Sequence, residues 1–174
     1  MIIFIRHGET EFNINNLWMG QTDLPLNENG FDQAQLAGEK LGNIAFEAIY
    51  TSQLKRAHST ALTIQRMQAG HPQVIIESRF QERGFGDFEG LEKTFERRKK
   101  LEFAIGVETI NSLKSRLLSG FKDIPLEKDI LIVSHSAVFR CLIENLQFST
   151  GASVTQLGNG EFTTIIPPKH LHMM

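Results

Sequence analysis

The sequence predicts an α/β protein with a mostly parallel sheet flanked by helices. Short apolar runs of strand length alternate with longer stretches of helical period. This alternation is typical of parallel strands that are joined by crossover helices. The chain has 174 residues, which is enough for one hydrophobic core and short for two, so we predict a single domain over residues 1–174.

Four apolar segments are predicted to form the main strands. They are Ile2 to Ile5, Ala48 to Thr51, Val74 to Glu77 and Ile130 to Val133. A weaker pair, Val154 to Leu157 and Phe162 to Ile166, surrounds the turn residues Gly158-Asn159-Gly160. The turn predicts that this pair forms a hairpin near the end of the chain.

Five segments are predicted to form helices. Glu28 to Leu41 follows Asn27, which is a favourable cap residue, and Leu54 to Met67 repeats apolar residues on one face. The other three cover about Glu92 to Phe103, Glu108 to Phe121 and Ala137 to Leu146.

Charge and cysteine content restrict the possible partners and location. The 18 basic and 20 acidic residues give a formal charge of -2, so no nucleic-acid or membrane partner is predicted. Cys141 is the only cysteine, which excludes an internal disulfide and fits a reducing compartment. The apolar run Met1 to Ile5 lacks a basic leader and the length of a membrane span. We therefore expect a cytoplasmic protein.

Residues suited to phosphate chemistry follow each of the four main strands. Arg6 and His7 follow the first, Arg56 the second, Glu82 the third and His135 the fourth. Because the carboxyl ends of parallel strands meet at one edge of a sheet, these side chains are expected to lie close together. Two arginines, two histidines and a carboxylate would form an anion pocket with an acid and a nucleophile.

An ordered set of motifs covers nearly the whole chain. It comprises Arg6-His7-Gly8-Glu9-Thr10 with Asn13, the segment Gly20 to Leu26, Thr51-Ser52 through Arg56-Ala57, Glu82 ahead of Gly86 to Gly90, and Val133-Ser134-His135. This set resembles the histidine phosphatase superfamily, in its phosphoglycerate mutase-like branch. The resemblance implies a three-layer sandwich and phosphoryl transfer through a phosphohistidine.

The resemblance also implies a role for each core residue. His7 is expected to be the nucleophile, since a neutral imidazole held by a backbone carbonyl such as that of Gly8 keeps one lone pair free. Arg6, Arg56 and a protonated His135 are expected to hold the phosphoryl oxygens in place of a metal.

Further roles follow from the remaining matched positions. Glu82 is expected to act first as acid and then as base. Asn13 and Thr22 are expected to add hydrogen bonds to the phosphate. Ser136 stands where the family usually has glycine, so its hydroxyl either contacts phosphate or shifts His135. No cofactor is predicted. No metal site is predicted either, because the pair His170 and His172 lacks a third ligand of suitable spacing.

The sequence favours a phosphatase that acts on small phosphomonoesters. The connection from Gly90 to Val107 is shorter than the cap segment of the mutases, and a mutase must enclose its bisphosphate intermediate. Phosphoglycerate mutase activity is the second hypothesis, and a phospholigand-binding module without turnover is the third. Sugar phosphates, α-ribazole phosphate and phosphoproteins all stay open as substrates, and the sequence indicates no oligomeric state. The basic run Arg97 to Lys100 is interpreted as a solvated helix face.

Overall fold

A six-stranded sheet forms the centre of the molecule in the computed structural model, which describes residues 1–151, 153–169 and 171 except for the side chain of residue 102. The strands are β1 (Ile2–Arg6), β2 (Ala48–Thr51), β3 (Gln73–Ile76), β4 (Ile130–Ser134), β5 (Ser149–Thr150) and β6 (Phe162–Ile166). Their order is β3-β2-β4-β1-β6-β5. The first four strands are mutually parallel, and β6 is antiparallel to both β1 and β5.

Helices connect the strands. They are α1 (Glu11–Ile14), α2 (Glu28–Leu41), α3 (Lys55–Met67), α4 (Phe95–Lys100), α5 (Ile110–Lys122) and α6 (Ser136–Asn145). Single 3₁₀ turns span Ser78–Phe80, Gly86–Phe88 and Leu101–Phe103.

Each face of the sheet has its own hydrophobic core. Successive strand residues point to opposite faces, so Phe4 and Ile132 pack with α5 and α6, whereas Ile5 and Val133 pack with α2 and α3. The predicted α/β class and the three-layer arrangement are therefore confirmed.

The four main strands and the terminal strand β6 are found where they were predicted, to within one residue at each end. The predicted partner of β6 is wrong, because Val154 to Leu157 form no strand and β6 pairs with Ser149–Thr150 instead. Both edges of β6 are occupied by β1 and β5, and the carbonyl of Leu157 accepts a hydrogen bond from Arg6. The segment therefore contacts the end of β1 through this side-chain hydrogen bond and adds no strand to the sheet.

The connection between Gly90 and Val107 contains less helix than predicted. Glu92 forms an isolated β-bridge with Leu17, so the helix begins only after Thr94, whose hydroxyl accepts a hydrogen bond from the N–H of Arg97. The helix α5 likewise begins two residues later than predicted, after the cap residue Thr109.

Within the described ranges, no helix is both long enough and apolar enough to cross a membrane. His170 and His172 lie outside the described residues.

Candidate active site

The register of the two central strands places the two predicted catalytic histidines side by side. Arg6 pairs with Ser134 at the end of the β1–β4 ladder, so His7 and His135 leave the sheet at the same level. The N–H of His7 donates to the carbonyl of Ser134 at 3.0 Å, and the two imidazole centroids are 5.1 Å apart. Residues 128 positions apart in the chain thus become neighbours at the carboxyl edge of the sheet.

His7 is held in one tautomer by the backbone. Its Nδ1 lies 2.7 Å from the carbonyl oxygen of Gly8, and because a carbonyl only accepts, Nδ1 carries the proton. Burial, followed by the charges of Arg56 and Arg6, lowers the pKa of His7 well below its ordinary value. The ring is therefore neutral near neutral pH, and its Nε2 lone pair has no hydrogen bond from any described residue.

His135 is fully buried behind a serine hydroxyl. Its Nε2 lies 2.7 Å from Ser52 Oγ, while its Nδ1 has no hydrogen-bond partner among the described residues. Burial and then the charge of Arg56 lower the pKa of His135 well below its ordinary value. This favours the neutral ring in the unliganded site, and a protonated His135 that holds the phosphoryl oxygens stays a prediction.

Two guanidinium groups lie beside the histidines without a salt bridge to a carboxylate of the described residues. Arg56 is fully buried and donates to the carbonyls of Thr22 at 2.8 Å and Gly20 at 2.6 Å, and Arg6 donates to Leu157 at 2.9 Å. The Nε of each arginine is buried without a partner, and neither forms a salt bridge within the described part of the chain. Burial lowers the pKa of Arg56 to about 10, which still leaves it charged. Buried cations without a salt-bridge partner favour an anionic ligand.

Thr22 contacts both Arg56 and Glu89 in the unliganded site. Its hydroxyl donates a hydrogen bond to Glu89 at 2.7 Å, and its carbonyl accepts one from Arg56. Glu89 also accepts from the N–H groups of Thr22 and Gln21, each at 2.9 Å. The hydroxyl proton of Thr22 is thus donated to Glu89 in the unliganded site, and the hydrogen bond from Thr22 to phosphate stays a prediction.

Glu82 reaches the site from the loop after β3. Glu82 is 7% exposed, and its carboxylate accepts hydrogen bonds from the N–H of Ala137 at the start of α6 and from that of Arg83. Arg116 on α5 donates to the carbonyls of Gln81 at 2.8 Å and Glu82 at 3.1 Å. Sequence reasoning missed Arg116, which has no local motif and acts across 34 residues.

An asparagine pair fixes the loop after β1. Asn13 Oδ1 accepts from the N–H of Thr10 at 3.1 Å and from Asn159 Nδ2 at 3.2 Å. The same Asn159 amide donates to the carbonyl of His7 at 3.0 Å. The sequence analysis interpreted Asn159 only as a turn residue, because it lies between Gly158 and Gly160.

One cavity of about 290 Å³ brings most of these groups together. Six of the eight predicted site residues line it: Arg6, His7, Asn13, Arg56, Glu82 and Ser136. His135 and Thr22 are not among the lining residues. The other lining residues, which the sequence analysis did not assign to the site, include Trp18, Lys93, Arg98 and Arg140.

Arg98 belongs to the basic run that was interpreted as a solvated face, and it lies at the cavity while Lys99 and Lys100 are exposed elsewhere. No group of three or more histidine, cysteine or carboxylate side chains in the described ranges is placed to hold a metal ion.

The fold and the site define an α/β protein with a histidine and arginine pocket for an anion at the carboxyl edge of its sheet. The chain belongs to the histidine phosphatase superfamily (branch 1), whose family model matches residues 2–166. Relatives with sequences similar to this chain are named phosphatase or phosphoglycerate mutase. Both names indicate an enzyme of the phosphoryl-transfer type.

Two curated relatives show the range of these names. The uncharacterized phosphatase PhoE of Bacillus subtilis is 35% identical over 150 residues, which cover 83% of this chain and 76% of the relative. A phosphoglycerate mutase of Schizosaccharomyces pombe is 31% identical over 188 residues, which cover 96% of this chain and 87% of the relative.

Solved structures confirm the fold. Bacillus stearothermophilus YhfR superimposes with a TM-score of 0.74 at 26% identity and covers 84% of this chain and 79% of its own. A mycobacterial glucosyl-3-phosphoglycerate phosphatase superimposes with a TM-score of 0.75 at 23% identity and covers 92% of this chain and 87% of its own.

Proposed function

We propose that this protein is a phosphatase that hydrolyses small phosphomonoesters through a phosphohistidine on His7, without a metal ion. The observation that carries the proposal is the state of His7: a neutral ring whose Nδ1 proton is committed to Gly8, beside two buried and unpaired guanidinium groups. A neutral imidazole with a free lone pair is a nucleophile, and fixed positive charge is what a transferring phosphoryl group requires.

In the first step, His7 Nε2 attacks phosphorus and the bond between phosphorus and the ester oxygen breaks. Glu82 lines the same cavity and donates a proton to the departing alkoxide. Arg6 and Arg56 bind the equatorial oxygens. In the second step Glu82 takes a proton from water, the water oxygen bonds to phosphorus, and the bond from phosphorus to His7 breaks to release phosphate.

The charge of His135 changes with the occupancy of the site under this proposal. Its pKa is lowered by burial and by Arg56 in the unliganded pocket. A phosphate dianion that neutralises the nearby guanidinium groups removes part of this effect and favours the imidazolium. His135 then adds one more positive charge to the transferred group, while Ser52 keeps the ring in place.

A phosphoglycerate mutase is the second candidate, because relatives such as the Schizosaccharomyces pombe enzyme carry that name. A mutase would depend on a bisphosphate primer, whereas a phosphatase releases inorganic phosphate from the ester alone. A binding module without turnover is less favoured, since the nucleophile, the acid and both arginines all line one cavity.

Phosphate release from a panel of phosphomonoesters tests the proposal, with EDTA present throughout. Wild-type protein should release phosphate, and His7→Ala should lose at least about a thousandfold in turnover because no other group replaces the nucleophile. His58→Ala is the matched control, as this histidine of α3 lies outside the cavity. Undiminished turnover in His7→Ala, or full loss of wild-type activity with EDTA, would contradict the proposal.

A further inference from the structure

Four successive carbonyl groups in the loop that carries Glu82 accept hydrogen bonds from side chains. The carbonyls of residues 79, 81 and 82 accept from the guanidinium of Arg116 on α5, the last two at 2.8 and 3.1 Å. The carbonyl of Phe80 accepts from Ser134 Oγ at 2.7 Å. Carbonyls removed from water need such donors where no strand or helix supplies them. One arginine thus fixes most of this loop.

Arg116 uses every donor that a guanidinium has. A guanidinium carries five N–H groups, and the five acceptors of Arg116 are the three loop carbonyls and both carboxylate oxygens of Glu108. The distances to Glu108 are 2.6 Å from Nε and 2.8 Å from Nη2, and this two-oxygen contact fixes the plane of the guanidinium. Arg116 is not among the residues that line the cavity, so its contacts serve the loop and not a ligand.

Glu108 binds the same loop on the other side of Glu82. Its N–H donates to the carbonyl of Gly84 at 2.8 Å, and its Oε2 accepts from the N–H of Gly84 at 3.2 Å. The side chains of Arg116 and Glu108 are only 16% and 13% exposed, so solvent and salt screen their attraction little. The ion pair therefore contacts the chain both before and after Glu82.

The carboxylate of Glu82 is held separately from its main chain. It accepts from the N–H of Arg83 at 2.9 Å and from that of Ala137 at 3.2 Å, whereas Arg116 binds the carbonyl of Glu82. Glu82 is thus fixed at two points, its main chain by α5 and its carboxylate by the start of α6. A displacement of the main chain would move the carboxylate within the cavity.

We infer that Arg116, aligned by Glu108, is a positioning residue for proton donation by Glu82. The inference rests on the proposed function, in which Glu82 protonates the departing alkoxide. Arg116 acts through the main chain of residues 79–82. Its loss should therefore slow the step that needs the proton and leave the binding of phosphate intact.

Arg116→Met tests the inference with an alkyl phosphate and nitrophenyl phosphate. Methionine keeps an unbranched apolar side chain and removes every donor. For the alkyl ester kcat should fall about tenfold to a hundredfold, since a small displacement of a catalytic group costs rate on this order. For nitrophenyl phosphate kcat should stay within about threefold, because nitrophenolate leaves without protonation. KM should stay within about threefold for both esters. Equal losses on the two esters, or none on either, would overturn the inference.

A double-mutant cycle with Glu82→Gln separates positioning from a general weakening of the fold. Without the acid, Arg116 has no proton donor to position. Arg116→Met should therefore cost less than about threefold on the alkyl ester in the Glu82→Gln background. If the two losses multiply in full, Arg116 acts independently of Glu82 and the inference is overturned.

Arg79→Met is the matched control at the same junction with α5. The guanidinium of Arg79 binds Glu77, Asp123 and Ser119, and it neither lines the cavity nor donates to the carbonyls of the loop. This variant should lower stability in urea without separating the two esters. The same separation in Arg79→Met would contradict a specific role of Arg116.

Glu108→Gln keeps the inference testable if Arg116→Met does not fold. It retains the donors of Arg116 and removes only the charge of its partner. The alkyl ester should again lose more turnover than nitrophenyl phosphate, although by a smaller factor. Equal effects on both esters would overturn the inference.

The phosphatase and the positioning role fail in different ways. Wild-type protein that releases no phosphate from any ester would overturn the proposed function and the inference with it. Equal losses on both esters in Glu82→Gln would overturn the inference and leave the phosphatase standing. Ester-selective loss in Glu82→Gln but not in Arg116→Met would overturn the inference alone.

Discussion

The neutral state of His7 results from opposing local effects. Burial and two nearby guanidinium groups disfavour the imidazolium, whereas the hydrogen bond to the Gly8 carbonyl favours it, and the first two dominate. The backbone contact nevertheless decides which nitrogen keeps the proton. Burial, the nearby charges and one backbone contact thus set both the charge state and the orientation of His7 in the unliganded site.

Glu82→Gln tests proton donation at the scale of one residue. The variant should reduce kcat/KM for alkyl phosphates by about a hundredfold or more, because a poor leaving group needs the proton. For nitrophenyl phosphate the loss should stay below about tenfold, since nitrophenolate leaves without protonation. Steady-state kinetics on both ester types provide the comparison.

Glu9→Gln is the control for that experiment. Glu9 is another carboxylate near the β1 loop, but it binds Asn27 and Asn29 and does not line the cavity. Equal losses on alkyl and nitrophenyl esters in Glu82→Gln would show that a different group donates the proton.

The two buried histidines should make stability depend on pH. Their pKa values are lowered in the folded protein, so below the ordinary histidine pKa the unfolded chain binds protons that the native state does not. The contribution of the two histidines to the free energy of unfolding should be fully present above about pH 6.5. Below that pH it should fall by about 1.4 kcal/mol per pH unit for each histidine.

Urea unfolding at a series of pH values measures this dependence on ligand-free protein. The double variant His7→Gln with His135→Gln should have a flatter profile between mildly acidic and neutral pH, whereas His58→Gln should keep the wild-type slope. A steep slope that survives in the double variant would assign the effect to other groups.

At the scale of elements, the loop after β1 depends on its contact with the first turn of α2. A Cβ placed on Gly30 would lie 2.1 Å from the carbonyl oxygen of Glu9, and one placed on Gly8 would lie 2.2 Å from that of Gly30. The N–H of Gly8 also donates to Thr60 on α3 at 3.0 Å. Two helices on one face of the sheet therefore fix the backbone that carries His7.

Gly30→Ala should destabilise the protein even though it improves helix propensity. Alanine gains about 1 kcal/mol over glycine in a helix interior, but the backbone clash should cost roughly 1–3 kcal/mol or more. Turnover should also fall because the loop of His7 is displaced. Urea unfolding and phosphate release measure the two effects.

Gly70→Ala is the matched control, since a Cβ there meets no atom within 4 Å. If Gly30→Ala were as stable and active as this control, the close approach of loop and helix would not position His7.

At the scale of the whole molecule, the unliganded site contains buried positive charge that no salt bridge of the described residues neutralises. Arg6 and Arg56 are charged, largely removed from water and unpaired by carboxylates in the described ranges. Burial of uncompensated charge costs stability. An oxyanion that binds only the native state should therefore stabilise the entire fold.

Thermal unfolding in phosphate or vanadate tests this expectation against chloride at equal ionic strength. The free energy of unfolding should rise by about 2.7 kcal/mol at one hundred times the dissociation constant. Arg56→Gln should reduce this response, because it removes the most deeply buried cation of the pocket. An equal rise in chloride would indicate general screening rather than a specific site.

The sequence by itself determined β6 and the four main strands, the order of the chemistry-bearing loops and the convergence of Arg6, His7, Arg56 and Glu82, but not the strand β5. Those predictions succeed because strand and helix periodicity are local, and parallel strands bring their following loops to one edge of the sheet. The tertiary structure alone decided the neutral state of His135, the binding of Thr22 to Glu89 and the contact from Asn159 to His7. It also decided that Trp18 and Arg140 share one cavity. These properties depend on burial and on contacts between residues far apart in the chain, and no local pattern of residues encodes either.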